Sequence, residues 1–186
     1  MNTLKLTENE IAELRAYRNI PNEDDVRYKQ VIKEMLISNN KIIYLLHNEE
    51  LEKAGVDNDE YLGNNILPYY LIHPTQTEVK NFICFETSFD EVSRPNSVIK
   101  YQQVIFYVLC HQADITEKYT STARHDLISA VLIDMFQGSN IFGTQLKLMS
   151  DKPSVVDTDY ACRTLIFEQQ TLNSLYGKQG GLRVGN

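Results

Sequence analysis

Helical spacing and strand alternation divide the chain into blocks. In "VRYKQVIKEMLISN" the apolar residues Val31, Ile32, Met35 and Leu36 recur three and four positions apart, which predicts a helix. Asn22 stands where it would cap the first turn, and Glu23, Asp24 and Asp25 suit the positive end of the dipole. Upstream, "TENEIAELRAYRN" places Thr7 three residues before Glu10, a capping-box pattern, with Ile11 and Leu14 as a thin apolar stripe. A helix so short and polar needs a neighbour to pack on, and another subunit would serve. "VDNDEYLGNN" reads as a solvated loop. Its Asp57 and Asp59 lack the glycine and closing glutamate of a calcium loop.

From Ile66 the period becomes two. "ILPYYLIHP", bracketed by Pro68 and Pro74, predicts a short strand near a sheet edge. "NFICFETSFDEV" alternates Ile83, Phe85, Thr87 and Phe89 with Cys84, Glu86, Ser88 and Asp90, a half-buried strand that Arg94-Pro95-Asn96-Ser97 would turn. "SVIKYQQVIFYVLCHQ" starts polar on both faces and becomes apolar on both, so one end should lie deep and the other project or pair at an edge. Leu127, Ile128, Val131, Leu132 and Met135 then fall on one face of a long helix that Gly138 stops. "FGTQLKLMS" predicts a strand, "DKPSVVDTD" a loop, and "YACRTLIFEQQ" a strand with Ala161, Arg163, Leu165 and Phe167 on one face. "YGKQGGLRVGN" holds four of the eight glycines and reads as a flexible tail or an arm that orders on a partner.

The order of these blocks predicts an α+β fold: a mostly antiparallel sheet of about five strands packed against one long helix, with an N-terminal helical extension. The expected division is a helical region at 1–55, an α+β core at 56–172 and a glycine-rich tail at 173–186.

Composition narrows the function. The 186 residues are 42% hydrophobic and 23% charged, enough for a proper core, and a net charge of -7 opposes wrapping around nucleic acid. Neither a signal-peptide core nor a membrane-spanning stretch is present, so the chain is expected to be soluble and made in a cytoplasm. Cys84, Cys110 and Cys162, an odd number set in apolar segments, read as buried free thiols. Their spacing with His73, His111 and His125 matches no zinc or thiol-nucleophile motif, and no cofactor is expected.

The stretch "STARHDLISAVLIDMF" places Arg124, His125 and Asp126 side by side. Consecutive helical residues point about 100° apart, so the three cannot meet on one reacting atom, and Ser121 and Thr122 are better read as helix caps. Arg124 sits at the unfavourable end of the helix dipole, which calls for a carboxylate partner, such as one across an interface. The carboxylate pairs Glu86 with Asp90 and Asp157 with Asp159 read as a solvated strand face and a turn. Tyr101 and Tyr107 share a face, but Lys100 and Arg163 are a thin basic supply for nucleic acid. Phosphate-binding glycine motifs are missing. Eleven tyrosines with no tryptophan, and strand ends polar on both faces, suit burial against copies of the chain rather than catalysis. Arg124, Lys100, Arg163, Tyr101, Leu182 and Arg183 are the candidate subunit-interface residues.

The succession "ILPYYLIHPTQTEVKNFICFETSF", "IKYQQVIFYVLC", "ARHDLISAVLIDMF", "GTQLKLMSDKPS" and "TDYACRTLIFEQQ" resembles the small neck proteins of long-tailed bacteriophages, of the tail terminator or tail completion type, over residues 60–172. The resemblance rests on the order of elements, not on a diagnostic motif. It implies a hexameric ring, without enzymatic activity, that caps the tail tube and joins it to the head connector or stopper while DNA passes through. It also implies a place in the virion after assembly in the host cytoplasm. The N-terminal helices and the glycine-rich tail depart from the pattern and would be arms reaching a neighbouring subunit. The alternatives are another neck component, an adaptor or stopper, and a small enzyme using His125 and Asp126.

Overall fold

The computed structural model describes residues 6–16, 24–70, 79–92, 98–156 and 159–172. The predicted cap at Asn22, the turn at 94–97 and the tail bearing Leu182 and Arg183 lie outside them, as do His73, Pro74 and Asp157. Among the described residues five α-helices, α1 (Glu8–Ala16), α2 (Asp24–Ile37), α3 (Asn40–Leu46), α4 (Glu49–Ala54) and α5 (Arg124–Phe136), accompany five strands. The strands are β1 (Ile66–Leu67), β2 (Phe82–Val92), β3 (Ile99–His111), β4 (Lys147–Val155) and β5 (Tyr160–Leu172), joined in one sheet in the order β1-β2-β3-β5-β4. The pairings are antiparallel except that of β1 with β2. The α+β architecture read from the sequence is the one observed. Among the described residues no helix is long and apolar enough to cross a membrane.

Alternation decides which sheet face is covered. Ile83 and Phe85 of β2, Val104, Phe106 and Val108 of β3, and Leu165 and Phe167 of β5 share one core with Ile128, Leu132 and Phe136 of α5. Tyr28, Ile32 and Leu36 of α2 and Ile42 and Leu46 of α3 belong to that same core, so these two helices are part of the body of the fold. Phe106 sits at its centre, with ring centroids of Phe136, Phe167 and Phe85 at 4.9, 6.0 and 6.1 Å.

Three local expectations are corrected. Of the strand expected over 66–74, the described residues 66–70 form only Ile66–Leu67, because Pro68 has no N–H to continue the ladder and its carbonyl accepts from Lys29 Nζ at 2.8 Å. The strand expected over 142–150 begins at Lys147 and runs through the segment read as a loop, to Val155. Phe142 and Leu146 are claimed by the core instead, Phe142 stacking on Tyr28 at 4.0 Å, and β4 is an edge strand that tolerates Pro153. Finally, the polar start of β3 does not project: Lys100 and Gln102 are buried, because β3 is flanked along its length by β2 and β5.

Candidate functional site

Among the described residues the helices leave the opposite sheet face open. Its own small cluster, Leu67, Phe82, Cys84, Leu109, Tyr160 and Cys162, contains no helical residue. Beyond that cluster the register lays Ile105 opposite Ile166, Gln103 opposite Glu168, Tyr101 opposite Gln170 and Tyr107 opposite Thr164. All but the exposed Gln170 are half-buried, so the face presents a paired isoleucine centre in a frame of tyrosine, amide and carboxylate groups. Tyr70 leans on Tyr107 at 4.6 Å between centroids, and Glu86 is held by the Tyr70 N–H at 3.1 Å and Lys29 at 3.7 Å. A mixture of this kind is typical of protein interfaces that form after folding.

Three polar clusters fix the elements behind this face. The first surrounds Asp114, at the end of the turn that follows β3. Its Oδ2 lies 2.8 Å from His47 Nδ1 and 3.3 Å from Arg124 Nε, and accepts from Asn81 Nδ2 at 2.9 Å. Arg124 Nε also donates to the Asp114 carbonyl at 2.9 Å, and its N–H donates to Ile115 at 2.7 Å. The carboxylate partner expected of Arg124 is therefore in the same chain, and with 3% exposure the arginine lies inside the subunit. Arg124 Nη1 is buried without a hydrogen-bond partner.

The second cluster centres on Arg163. Its guanidinium forks onto Asp151 of β4 through Nε and Nη2 at 2.6 and 2.8 Å, and Nη1 donates to Asp126 of α5 at 2.6 Å. The two carboxylates raise the arginine pKa, Asp151 most strongly. His125 Nε2 stands 3.4 Å from Asp126 Oδ1, so this adjacent pair does approach, while Arg124 turns away to Asp114. Asp126 is occupied by Arg163, and the three consecutive residues do not converge.

The third cluster is a clasp ahead of α5. Glu117, itself buried, accepts from the Tyr44 hydroxyl at 2.6 Å, from the N–H groups of Tyr119 and Thr120 at 3.0 and 2.8 Å, and from Thr120 Oγ1 at 2.8 Å. Those bonds, led by that of Tyr44, hold the carboxyl down to about 2, and the same bond pushes the phenol of Tyr44 up to about 12. Ser121 (φ +55°) and Thr122 belong to this loop and do not cap α5, whose N-cap is Ala123 with no side-chain bond.

Of the remaining candidates, Lys100 is buried with its Nζ 5.9 Å from the Phe89 ring, and Tyr101 lies on the open face. Cys84, Cys110 and Cys162 are buried and in no disulfide, and burial raises the Cys110 and Cys162 thiols. Among the described residues no group of histidine, cysteine and acidic side chains could hold a metal ion. Sequence reasoning missed His47, Asn81, Tyr44 and Glu117, which are scattered and motif-free. One signal was available in "LLHNEEL", where Asn48 before two glutamates marks a new helix start and leaves His47 at a break in left-handed conformation.

No curated protein matches the chain. The model of the YomW family matches residues 39–169, from the cap of α3 almost to the end of β5. That stretch takes in the whole sheet but its last residues, α5 and all three polar clusters, and it covers well over half of the 186 residues. The chain belongs to the YomW family, which is phage-derived.

Proposed function

We propose that this phage-family protein is a structural component of the tail neck: a tail terminator or completion protein whose copies form a ring, hexameric by the resemblance stated above, between the tail tube and the head connector or stopper. The observation that carries the reading is the open sheet face, where Ile105, Ile166, Tyr101 and Tyr107 are set among amides and carboxylates with no helix over them among the described residues. Such a face is suited to another protein surface, either a second copy or the end of the tube. In this reading the protein carries out no catalysis, needs no cofactor and inserts into no membrane. Its net charge of -7 keeps the channel from gripping the phosphates of DNA in transit. Arg163 and Arg124 act from within, holding β4, β5 and α5 in the arrangement that shapes the face.

The test is imaging of purified particles in which the chain carries a C-terminal gold label. Label at the junction of head and tail is expected, and label elsewhere or none on intact particles would overturn the reading. A density map then separates terminator from adaptor or stopper by whether the ring sits on the tube or on the connector. A double Ile105→Asp, Ile166→Asp variant should stay folded and fail to join heads to tails.

A further inference from the structure

α3 and α5 lie side by side and run in opposite directions. Asn39, at the start of α3, donates to Met135 Sδ in the last turn of α5 at 3.1 Å, while Tyr44 of α3 reaches Glu117 ahead of α5. Among the described residues an apolar groove of about 610 Å³ runs between the two helices, lined by Tyr44, Leu127 and Val131. A volume of that size takes compact apolar groups. The charged residues that line it are Glu117 and Asp134 against Lys41, so the groove is acidic. Glu117 is engaged by the bonds of its clasp at one end. Asp134, exposed in the last turn of α5, is the carboxylate open to an entering cation at the other.

The fourteen residues that follow β5, 173–186, contain Lys178 and Arg183 and no acidic side chain, in a chain of net charge -7. Leu182 and Val184 flank Arg183. In an extended segment those two apolar side chains point to one side and the arginine to the other. The pattern matches a groove that is apolar along its length and acidic at its mouth. The fold also places the start of the segment. Phe136, at the end of α5, lies 6.0 Å from Phe167 of β5 between ring centroids, and Thr144, in the loop after α5, donates to Gln169 at 3.1 Å. The Asp134 end of the groove and the end of β5 therefore share one end of the molecule. Leu172 stands five residues beyond Phe167, about 17 Å of strand. The ten residues from Leu172 to Leu182 can extend about 33 Å, enough to return to the Asp134 end.

We propose that the groove between α3 and α5 receives residues 182–184 of the same chain, with Leu182 and Val184 inside it and Arg183 paired with Asp134 at its rim. The tether keeps the segment at an effective concentration on the order of millimolar, which favours the chain's own groove over that of a neighbour. Leu182 and Arg183, expected from the sequence at a subunit contact, are then engaged within the subunit. The contact goes beyond the neck reading and does not depend on it.

The test uses the full chain carrying Ala130→Cys, at an exposed position in the groove, together with Gly185→Cys, treated with a short bis-maleimide. The native thiols are buried and do not compete. Mass spectrometry should find single chains with one linker joined at both ends, in a yield that does not change with protein concentration. Moving the first cysteine to Ser88, on the open sheet face, should cut that yield several-fold. Asp134→Lys should leave the circular dichroism spectrum unchanged and also cut the yield several-fold, and adding Arg183→Glu should restore it. Cross-links found only between chains, in a mixture of the two single variants, would assign the groove to a neighbouring copy and overturn the proposal. So would an absence of cross-links, an equal yield from Ser88→Cys, or a yield indifferent to Asp134→Lys.

Discussion

The Tyr44 hydroxyl donates a 2.6 Å hydrogen bond to Glu117 Oε1, tying α3 to the loop that introduces α5. Glu117 is held at about 2, below its ordinary value. Its ionised form is therefore favoured by folding, and that contribution is present above the unfolded pKa of about 4.3 and is lost as pH falls through the folded value. Tyr44 is raised to about 12, so its contribution is present below the ordinary phenol value and is lost as pH rises through the folded one. Thermal melts should show Glu117→Gln several degrees less stable than the parent at pH 7, with the gap closing between pH 4.5 and 2. A gap independent of pH would mean that the clasp does not form.

Asp114 neutralises a buried arginine. Asp114→Asn leaves Arg124 charged and enclosed, and is expected to cost about 3–5 kcal/mol in urea denaturation, the range for a broken buried pair. Replacing Asp114 and Arg124 together by Leu and Met should recover most of that loss. His47→Ala removes a partly exposed partner and should cost about 0–1 kcal/mol.

Arg163 joins β5 to β4 and α5 through partly exposed bonds, so screening tempers their strength. Arg163→Met is expected to cost about 1–2 kcal/mol, less at high salt. A double-mutant cycle with Asp151→Asn should return a favourable coupling, and strict additivity of the two changes would argue against the fork.

Phe106→Ala should be the costliest of the single truncations, about 3–5 kcal/mol by calorimetry or denaturant titration, because it opens a cavity among three other rings. Tyr101→Ala, on the open face, should leave the midpoint nearly unchanged while weakening association.

What the sequence disclosed was periodic. The faces of β2 and β5 follow from alternation alone, and the Thr7–Glu10 box from a three-residue spacing. The position of β4 was not legible, because Phe142 and Leu146 carry strand-like character but spend it on the core, and a proline in an edge strand resembles a loop. Nor was the burial of Lys100 and Gln102, which depends on β5, about 70 residues further along the chain, closing the side of β3 opposite its neighbour β2. The Asp114 and Glu117 clusters are assembled from helices and loops far apart in the chain, so neither has a spacing to read.

The β4 margin of the sheet resists further growth: it displays Lys147, Lys152 and Pro153 and is broken by a bulge between Leu148 and Ser150. Along that margin a stranger's backbone finds little onto which to zip, and copies are diverted from amyloid-like stacking there. Contact on that side is left to surfaces whose side chains can tell a correct neighbour from a wrong one.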